Sequence, residues 1–424
     1  MLHLYYTGIH IMPTTPIATS IVKKLISAGH TAYFAGGWVR DHLMQHPSDD
    51  IDIATSASVE QVQALFPKTI PVGIAFGIVI VVEQGHQFEV ATFRQDKGYV
   101  DGRRPSEIAP ATPEEDALRR DFTINGMFYD PIEKKLYDYV GGQKDIQKGV
   151  IRAIGNAHER FLEDRLRMMR AVRYSTRFNF PIESDTLQAI LAHAKSLLPA
   201  VAMERIWQEF KKMSQFAHFD TGLVTLHKLT LLPTIFPSLK DVSIEEVQRR
   251  VACIDHYPKK APPIAELLEL FPDDSLEMLL QLCEYLKLSK VDKDFVRYLY
   301  FVKHTVLQSE DKLSLIEPIE WAKLYANNHS EIVLKIIASR FPVEKREHFL
   351  EEHNKRRQLL EQAILRIHSQ SPIVRSEDLI NEGIKPGMKM GQLLKEAERI
   401  SVNQSIENRE EILEQLKKSP LWEK

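Results

Sequence analysis

Cysteine is scarce in this chain of 424 residues, which contains only Cys253 and Cys283. Two cysteines in a segment of helical pattern supply neither a disulfide framework nor a zinc cluster, and a reducing compartment fits such usage. The sequence contains no long apolar run, and its first stretch, MLHLYYTGIHIMPTTP, has no basic n-region of a signal peptide. We therefore expect a cytoplasmic protein that has no membrane partner.

An excess of charge of one sign is absent as well. The 55 Lys and Arg residues nearly balance the 58 Asp and Glu residues, which leaves a net charge of -3. A nucleic-acid partner would therefore have to meet a local basic surface. Repeats and low-complexity tracts are absent too, and a hydrophobic share of 44% excludes global disorder. At roughly 100 to 200 residues per domain, the length predicts two to four domains.

The first 155 residues alternate between short β-rich runs and helical runs. The β-rich runs are TAYFAGG, DIDIAT, GIVIVVEQ and QFEVATFR, and helical spacing covers residues 16–29, 38–46 and 58–65. This alternation predicts an N-terminal domain of mixed α/β or α+β class. Strand signals nearly vanish from residue 156 onward, where Leu, Glu, Lys and Arg recur at helical spacing. We therefore expect the remainder of the chain to be all-helical.

The segment from 35 to 55, AGGWVRDHLMQHPSDDIDIAT, combines a glycine pair with spaced carboxylates. Gly36 and Gly37 end a β-rich run before a helical stretch, where bare backbone N–H groups can approach a triphosphate. Asp50 and Asp52 lie two apart in a β-rich run, so both carboxylates face one side and can hold Mg²⁺. Glu89 on a neighbouring predicted strand could complete the metal cluster. The alternatives are a glycine turn, an acidic strand end and a solvated Glu89.

Positive charge concentrates directly after these acidic strands. Four arginines there could contact phosphate oxygens: Arg103, Arg104, Arg119 and Arg120. Asp121 and Asn125 follow at a spacing of four, and Asn125 could hydrogen-bond a ribose hydroxyl. Gly126 beside it would leave room for the sugar. The alternative is a helix with an exposed basic end.

A third signal lies in ERFLEDRLRMMRAVRYSTRF, residues 159–178, which we expect to be helical. One face carries an apolar stripe of Leu162, Leu166 and Met169, and another carries Asp164, Arg167, Arg170 and Arg177. Glu163 precedes Arg167 by four residues, the favourable order for a helical ion pair that would fix the guanidinium. Residues 152–177 include seven arginines and only three acidic residues. This stripe could contact RNA; the alternative is a solvated charged face.

Six motifs now stand in a fixed order: GGWVRD, DIDIAT, EVATFR, RRDFTINGM, DYVGGQKD and EDRLRMMRAVRY. Over about residues 21–215, this series resembles the class II nucleotidyltransferase family, which contains the bacterial CCA-adding enzymes and poly(A) polymerases. The resemblance implies a head with a mixed five-stranded sheet, followed by an all-helical neck, body and tail. We expect these four domains at residues 1–155, 156–215, 216–370 and 371–424.

The resemblance, together with the residue patterns above, predicts roles for individual residues. Asp50 and Asp52 would be the catalytic pair that binds Mg²⁺, with Glu89 as a third metal ligand. Residues that would bind the nucleotide are Gly36, Gly37, Arg40, Arg119, Arg120, Asp121, Asn125, Glu163, Asp164, Arg167, Arg170 and Arg173. Residues that would bind RNA are Arg103, Arg104 and Arg177. Gly126 and Tyr174 depart from the family, in which Ala and Phe are usual at these positions.

Two further expectations concern specificity. Cytosine and adenine each present an amino donor beside a ring-nitrogen acceptor, to which the acceptor Asp164 and the donor Arg167 are complementary. Guanine and uracil present the reverse pattern and should be rejected. Near the C-terminus, SEDLINEGIKPGMKMGQLLKEAE resembles the tail segment that supports RNA, although a plain helical packing element would look the same.

The sequence therefore predicts a metal-dependent enzyme that needs no nucleic-acid template and extends the tRNA 3′ end with CTP and ATP. The alternatives within the enzyme class are a poly(A) polymerase and a partial enzyme that adds only A or only CC. The unshortened segment between Arg94 and Arg119 favours an enzyme that accepts ATP. A relative without catalysis that only binds RNA is the alternative from another class, and the intact Asp50 and Asp52 argue against it.

Overall fold

The computed structural model describes residues 14–46, 48–99, 105–308 and 310–422. Two of the predicted RNA-binding residues, Arg103 and Arg104, lie outside these ranges. The chain forms two compact units, Met1–Gln248 and Arg249–Lys424. In the described ranges, no helix combines the length and the apolar character that crossing a membrane requires. The predicted boundaries of the four domains stay a prediction.

The strands all lie in the first unit, as far as the structure describes it. They are β1 Ala32–Ala35, β2 Asp52–Thr55, β3 Thr69–Ile70, β4 Ile78–Glu83, β5 His86–Thr92, β6 Arg94–Tyr99, β7 Pro105–Pro110, β8 Met127–Asp130 and β9 Lys135–Asp138. The main sheet has the order β3-β4-β5-β2-β1-β8-β9, and β6 and β7 pair separately. Its β2 and β5 run parallel, whereas the other pairs are antiparallel. The predicted mixed sheet is confirmed.

The expected number of five strands is wrong, because the main sheet has seven. The β-rich runs predicted β1, β2, β4 and β5, whereas β3, β8 and β9 were not predicted. β3 has only two residues, and β8 (MFYD) and β9 (KLYD) contain no Val, Ile or Thr, the residues that marked the predicted runs. The hairpin of β6 and β7 carries many charged and polar residues and was not predicted either.

Helices of the first unit flank the sheet and then follow it along the chain. They are α1 Thr14–Ser27, α2 Gly37–Leu43, α3 Val59–Leu65, α4 Pro113–Leu118, α5 Gly142–Lys148, α6 Ala157–Glu163, α7 Leu166–Phe178, α8 Ser184–His193, α9 Leu197–Ala200, α10 Met203–Met213, α11 Phe219–Lys228, α12 Leu231–Ile235 and α13 Ile244–Val251, of which the last three residues belong to the second unit. The apolar face of α1, with Ile17, Ile21 and Leu25, is fully buried in one cluster with Phe34 of β1. Burying an aliphatic side chain of this size contributes about 1.5–3 kcal/mol, so this packing holds the helix on the sheet.

The second unit is helical throughout its described residues. Its helices are α14 Pro263–Leu267, α15 Leu276–Tyr285, α16 Lys290–Val306, α17 Glu310–Ser314, α18 Pro318–Ala326, α19 Ser330–Ala338, α20 Val343–Leu359, α21 Glu361–Ser369, α22 Ser376–Asn381, α23 Met388–Gln404 and α24 Arg409–Lys417. The prediction of an all-helical chain after the N-terminal domain is thus confirmed. The segment resembling the tail forms α22 and α23, which pack with α24 around Leu393 and Leu416.

The stretch 159–178 is two helices rather than one. The chain turns at Asp164, whose backbone is extended, and α7 then begins at Leu166. The Asp164 Oδ1 atom accepts a hydrogen bond from the Leu166 N–H at 3.1 Å and so satisfies one free donor at the start of α7. The predicted apolar stripe is wrong at Leu162, which is 45% exposed because it precedes this break, and right at Leu166 and Met169.

Candidate active site

A cleft of about 920 Å³ opens in the first unit. Side chains from the main sheet, from the segment 119–125 and from helices α2, α7 and α10 line it. Of the predicted site residues that the structure describes, it gathers Gly36, Gly37, Arg40, Asp50, Asp52, Glu89, Arg119, Arg120, Asp121, Asn125, Asp164, Arg167, Arg170, Arg173 and Arg177. Glu163 does not line the cleft but contacts Arg167, which does.

Gly36 lies where β1 meets α2, and its geometry excludes other residues. Its φ of 65° is in the left-handed region that glycine adopts without strain. A Cβ atom there would lie 3.3 Å from Arg120 Nη1 and 3.6 Å from Asp52 Oδ2. The glycine therefore lets the backbone approach both a guanidinium and a carboxylate of the cleft.

The carboxylates meet at the β2 and β5 edges of the cleft. Asp52 begins β2, while Asp50 precedes the strand and is exposed. The parallel register pairs Ile53 with Val90, so Asp52 lies across from Glu89. Burial raises the pKa of Asp52 to about 7, and the nearby charges of Glu89 and Asp50 add to this effect, whereas Arg120 opposes it. Negative charge is thus concentrated at a half-buried site.

These carboxylates fit a hard divalent cation. Oxygen donors are the ligands that Mg²⁺ prefers, and a cation beside Asp52 would offset the mutual repulsion of the three acids. Within the described residues, however, no group of three or more His, Cys, Asp or Glu side chains is arranged to hold an ion. Asp50, Asp52 and Glu89 all line the cleft, but the structure does not bring them into a ready three-ligand group.

Asp116 is a site residue that the sequence analysis missed. Its buried carboxylate accepts hydrogen bonds from Arg119 Nη2 at 2.6 Å and from Arg120 Nη2 at 3.0 Å. Burial alone would raise the pKa of Asp116, but the two guanidinium groups outweigh burial and hold it below its ordinary value. The spacing of three and four residues before the arginine pair was the signal that could have revealed it.

Asp121 and Asn125 are parts of one buried polar network. The Asn125 side chain accepts a hydrogen bond from Arg40 Nη1 and donates from Nδ2 to Asp121 Oδ1 at 3.1 Å. Arg170 Nε donates to Asp121 Oδ2 at 2.7 Å. Burial would raise the pKa of Asp121, but Arg170 and Asn125 lower it to about 2. These two bonds use one lone pair of the Asn125 amide oxygen and one of its two N–H groups, so a donor and an acceptor position remain for a ribose hydroxyl.

The room predicted beside Gly126 is not open to a sugar. A Cβ atom on Gly126 would lie 2.7 Å from Val140 Cγ2 and 2.9 Å from Ile154 Cδ1. Protein side chains therefore fill the space that the absent methyl group leaves. The expectation of a sugar pocket at this glycine is wrong, and the residue instead permits close packing behind the cleft.

The arginines of α7 are paired with acids of the protein. Arg173 Nε donates to Glu209 Oε2 at 2.6 Å, and Arg177 Nη2 donates to Asp41 Oδ2 at 2.9 Å. Both acceptors are buried, and neither was among the predicted site residues. The α7 stripe thus faces the cleft and other parts of the first unit, and the predicted contact of Arg177 with RNA stays a prediction.

Glu163, Asp164 and Arg167 lie around the break between α6 and α7. The predicted ion pair is confirmed, because Glu163 Oε2 lies 2.7 Å from Arg167 Nη1. Arg167 Nη2 also donates to the backbone oxygen of Arg119 at 3.1 Å. Asp164 has a different partner, Arg205 of α10, whose Nη2 lies 3.1 Å from Asp164 Oδ2. Arg205 was missed, since it lies 41 residues downstream with no spacing signal.

The charges of the cleft suit a polyanionic ligand. Its lining carries ten basic side chains, Arg40, Arg94, Arg119, Arg120, Arg167, Arg170, Arg173, Arg177, Arg205 and Lys212, against five acidic ones, Asp50, Asp52, Glu89, Asp121 and Asp164. The chain as a whole is slightly acidic, so this basic surface is local. A triphosphate would meet arginines on one side and carboxylates that can hold a metal on the other.

Known protein families match three segments of the chain. Residues 32–152 match the Poly A polymerase head domain, and residues 179–242 match the Probable RNA and SrmB-binding site of polymerase A. Residues 281–416 match tRNA nucleotidyltransferase domain 2. A CCA-adding enzyme from Pediococcus pentosaceus is 34% identical over 394 residues, which cover 92% of this chain and 94% of that enzyme. The chain belongs to the class II nucleotidyltransferase family.

Other members of this nucleotidyltransferase family agree with the assignment. A CCA-adding enzyme from Bacillus cereus is 48% identical over 197 residues, about half of each chain. The CCA-adding enzyme of Bacillus stearothermophilus, solved in complex with CTP, covers 96% of this nucleotidyltransferase with a TM-score of 0.79 and 28% identity. The Thermotoga maritima enzyme, solved with tRNA, has the same fold at a TM-score of 0.64 and 21% identity. Enzymes of this family are metal-dependent.

Proposed function

We propose that this nucleotidyltransferase adds nucleotides from CTP and ATP to the 3′ end of tRNA, builds the sequence CCA and releases pyrophosphate. The observation that carries the proposal is the single cleft that holds Gly36, Asp50 and Asp52 beside the Arg119 and Arg120 pair. The relative from Pediococcus pentosaceus, a CCA-adding enzyme matched over 94% of its length, supports it. The enzyme would act in the cytoplasm.

The chemistry is a phosphoryl transfer that needs no protein nucleophile. The 3′ hydroxyl of the RNA gives up its proton to solvent as its oxygen forms a bond to the α-phosphorus of the nucleotide, and the bond from that phosphorus to the β-phosphate oxygen breaks, so that pyrophosphate leaves. Asp50 and Asp52 would hold Mg²⁺, which when bound supplies charge to activate the hydroxyl and stabilise the leaving pyrophosphate. Arg119 and Arg120, fixed by Asp116, would orient the phosphate oxygens.

The base of the nucleotide would be read by protein side chains. Asp164 would accept a hydrogen bond from the exocyclic amino group of cytosine or adenine, and Arg167 would donate to the neighbouring ring nitrogen. Glu163 holds the Arg167 guanidinium in place with a 2.7 Å ion pair. Guanine and uracil would place acceptor against acceptor and donor against donor, so the pair would reject them. The incoming nucleotide is therefore selected without a nucleic-acid template.

Base selection can be tested by the incorporation of all four nucleotides on tRNA that ends before CCA. Asp164→Ala and Arg167→Ala should lower the kcat/KM ratio of CTP over UTP, because a good bidentate contact contributes about 1–3 kcal/mol of discrimination. Glu163→Ala should do so more weakly. Glu159→Ala, which removes an exposed acid of α6, is the matched control and should keep the ratio. An equal slowing of all four nucleotides in Asp164→Ala would disprove templating by this residue.

The alternative enzymes are separated by the RNA substrate. Transcripts that end before CCA, transcripts that end after CC, and an unrelated RNA distinguish full CCA addition from addition of CC alone, of A alone, or of poly(A). We expect both tRNA transcripts to be completed to CCA and the unrelated RNA to be left unextended. Long A tails on the unrelated RNA would instead identify a poly(A) polymerase.

A further inference from the structure

Arg205 of α10 binds both oxygens of the Asp164 carboxylate. Its Nη2 atom lies 3.1 Å from Asp164 Oδ2, and its Nη1 atom lies 3.5 Å from Asp164 Oδ1. Both side chains are mostly buried, with relative exposures of 22% and 18%, and both line the cleft. The fork of the guanidinium therefore sets the plane and the rotation of this carboxylate.

The two carboxylate oxygens of Asp164 accept different numbers of hydrogen bonds. Oδ1 also accepts from the Leu166 N–H at 3.1 Å, so two donors already reach it. Oδ2 receives a single hydrogen bond, from Arg205, among the described residues. Because a carboxylate oxygen can accept two hydrogen bonds, Oδ2 keeps one acceptor position for a further donor. An exocyclic amino group of a base is such a donor.

Arg167 cannot perform this orienting function in the same arrangement. Its Nη1 atom donates to Glu163 and to the backbone oxygen of Arg160, and its Nη2 atom donates to the backbone oxygen of Arg119. The guanidinium of Arg167 is thus fixed by α6 and by the end of α4. Asp164, in contrast, depends on α10 for its orientation, so its donor partner comes from a separate helix.

We propose that Arg205 is a positioning residue for base selection. It aims the free acceptor of Asp164 Oδ2 at the amino group of cytosine or adenine, and it touches neither the base nor the phosphates. This inference rests on the proposed function, in which Asp164 reads the base. Without Arg205, the carboxylate would rotate about its side-chain bonds and accept donors from several directions, so discrimination between nucleotides would fall.

The test measures kcat/KM for CTP, ATP, UTP and GTP with the full chain on tRNA that ends before CCA. In Arg205→Ala, the ratio of CTP over UTP should fall about tenfold or more, a loss within the roughly 1–3 kcal/mol that a bidentate base contact supplies. Arg205→Gln keeps a donor and most of the length of the side chain and replaces the alanine variant if that variant does not fold. Lys211→Ala removes the same charge from α10 outside the cleft lining and should keep the ratio.

A double variant distinguishes positioning from a separate structural effect. If Arg205 acts through Asp164, then Asp164→Ala combined with Arg205→Ala should discriminate no worse than Asp164→Ala alone. Wild-type ratios in Arg205→Ala, with lost ratios in Asp164→Ala, would overturn this inference and leave the proposed function standing. Wild-type ratios in Asp164→Ala would refute the templating function itself and this inference with it.

Discussion

A buried glutamate of the second unit should make the stability of the protein depend on pH. Glu266 lies in the short helix α14 and is only 8% exposed. Its Oε2 atom has no hydrogen-bond partner among the described residues, and Ile264, Ala265 and Leu267 of the same helix are buried too. Burial raises the pKa of Glu266 to about 8 from 4.5. The folded chain therefore binds a proton here that the unfolded chain releases.

The direction of the effect follows from the raised pKa. Below pH 4.5 the Glu266 carboxyl is protonated in both the folded and the unfolded state, so its ionisation does not change the free energy of unfolding. As the pH rises from 4.5 toward 8, the unfolded state gains the free energy of ionisation while the folded state does not, so stability falls. The slope is about 1.4 kcal/mol per pH unit, which amounts to about 3 kcal/mol at pH 7. Above pH 8 the loss levels off.

Glu266→Gln removes the ionisation and leaves a side chain of the same shape. We expect the variant to match the wild type within about 1 kcal/mol at pH 5 and to be more stable by about 3 kcal/mol at pH 7. Urea unfolding, followed by circular dichroism at several pH values, measures this difference. Glu347→Gln, at an exposed position of α20, is the control, and its free energy of unfolding should change with pH in the same way as that of the wild type. If the free energy of unfolding of Glu266→Gln had the same pH dependence as that of the wild type, the reasoning would be refuted.

Three further predictions concern the first unit. Asp52→Ala should lower nucleotide incorporation more than about 100-fold while tRNA binding, measured by filter retention, stays near wild type; a smaller loss would contradict its proposed function. Arg170→Ala leaves Asp121 buried without its cation and should lower the free energy of unfolding by about 3 kcal/mol in urea titrations. Gly126→Ala should destabilise by about 1 kcal/mol or more in the same titrations, and Val140→Ala should relieve part of that loss.

Local signals predicted the parts of the site that are local in the chain. The glycine pair at the start of α2 and the Glu163–Arg167 pair were visible because each depends on neighbours within a few residues. The contact of Arg177 with Asp41 spans 136 positions, and no periodicity in either segment indicates it. Such pairs form only when α2 and α7 have packed together, so they depend on tertiary structure and not on sequence pattern.

The fold shows the same division. Runs such as GIVIVVEQ predicted β4 because Val and Ile fill five of its six positions and a glycine precedes it. The hairpin of β8 and β9 escaped prediction, since its four-residue strands form through pairing with each other and with β1. Asp116 is the exception: its i+3 and i+4 arginines were visible in the sequence, and only its burial was not.

The Asn125 side chain connects Arg40 to Asp121 through two hydrogen bonds of opposite direction. The Arg40 guanidinium can only donate hydrogen bonds, and the ionised Asp121 carboxylate can only accept them. The side chain between them must therefore accept at one end and donate at the other. Among side chains of this size, only a carboxamide has an acceptor oxygen at one position and a donor NH₂ at the other. An aspartate would only accept hydrogen bonds, and a leucine would neither donate nor accept them. A library of all substitutions at position 125, selected for activity, should therefore return asparagine alone.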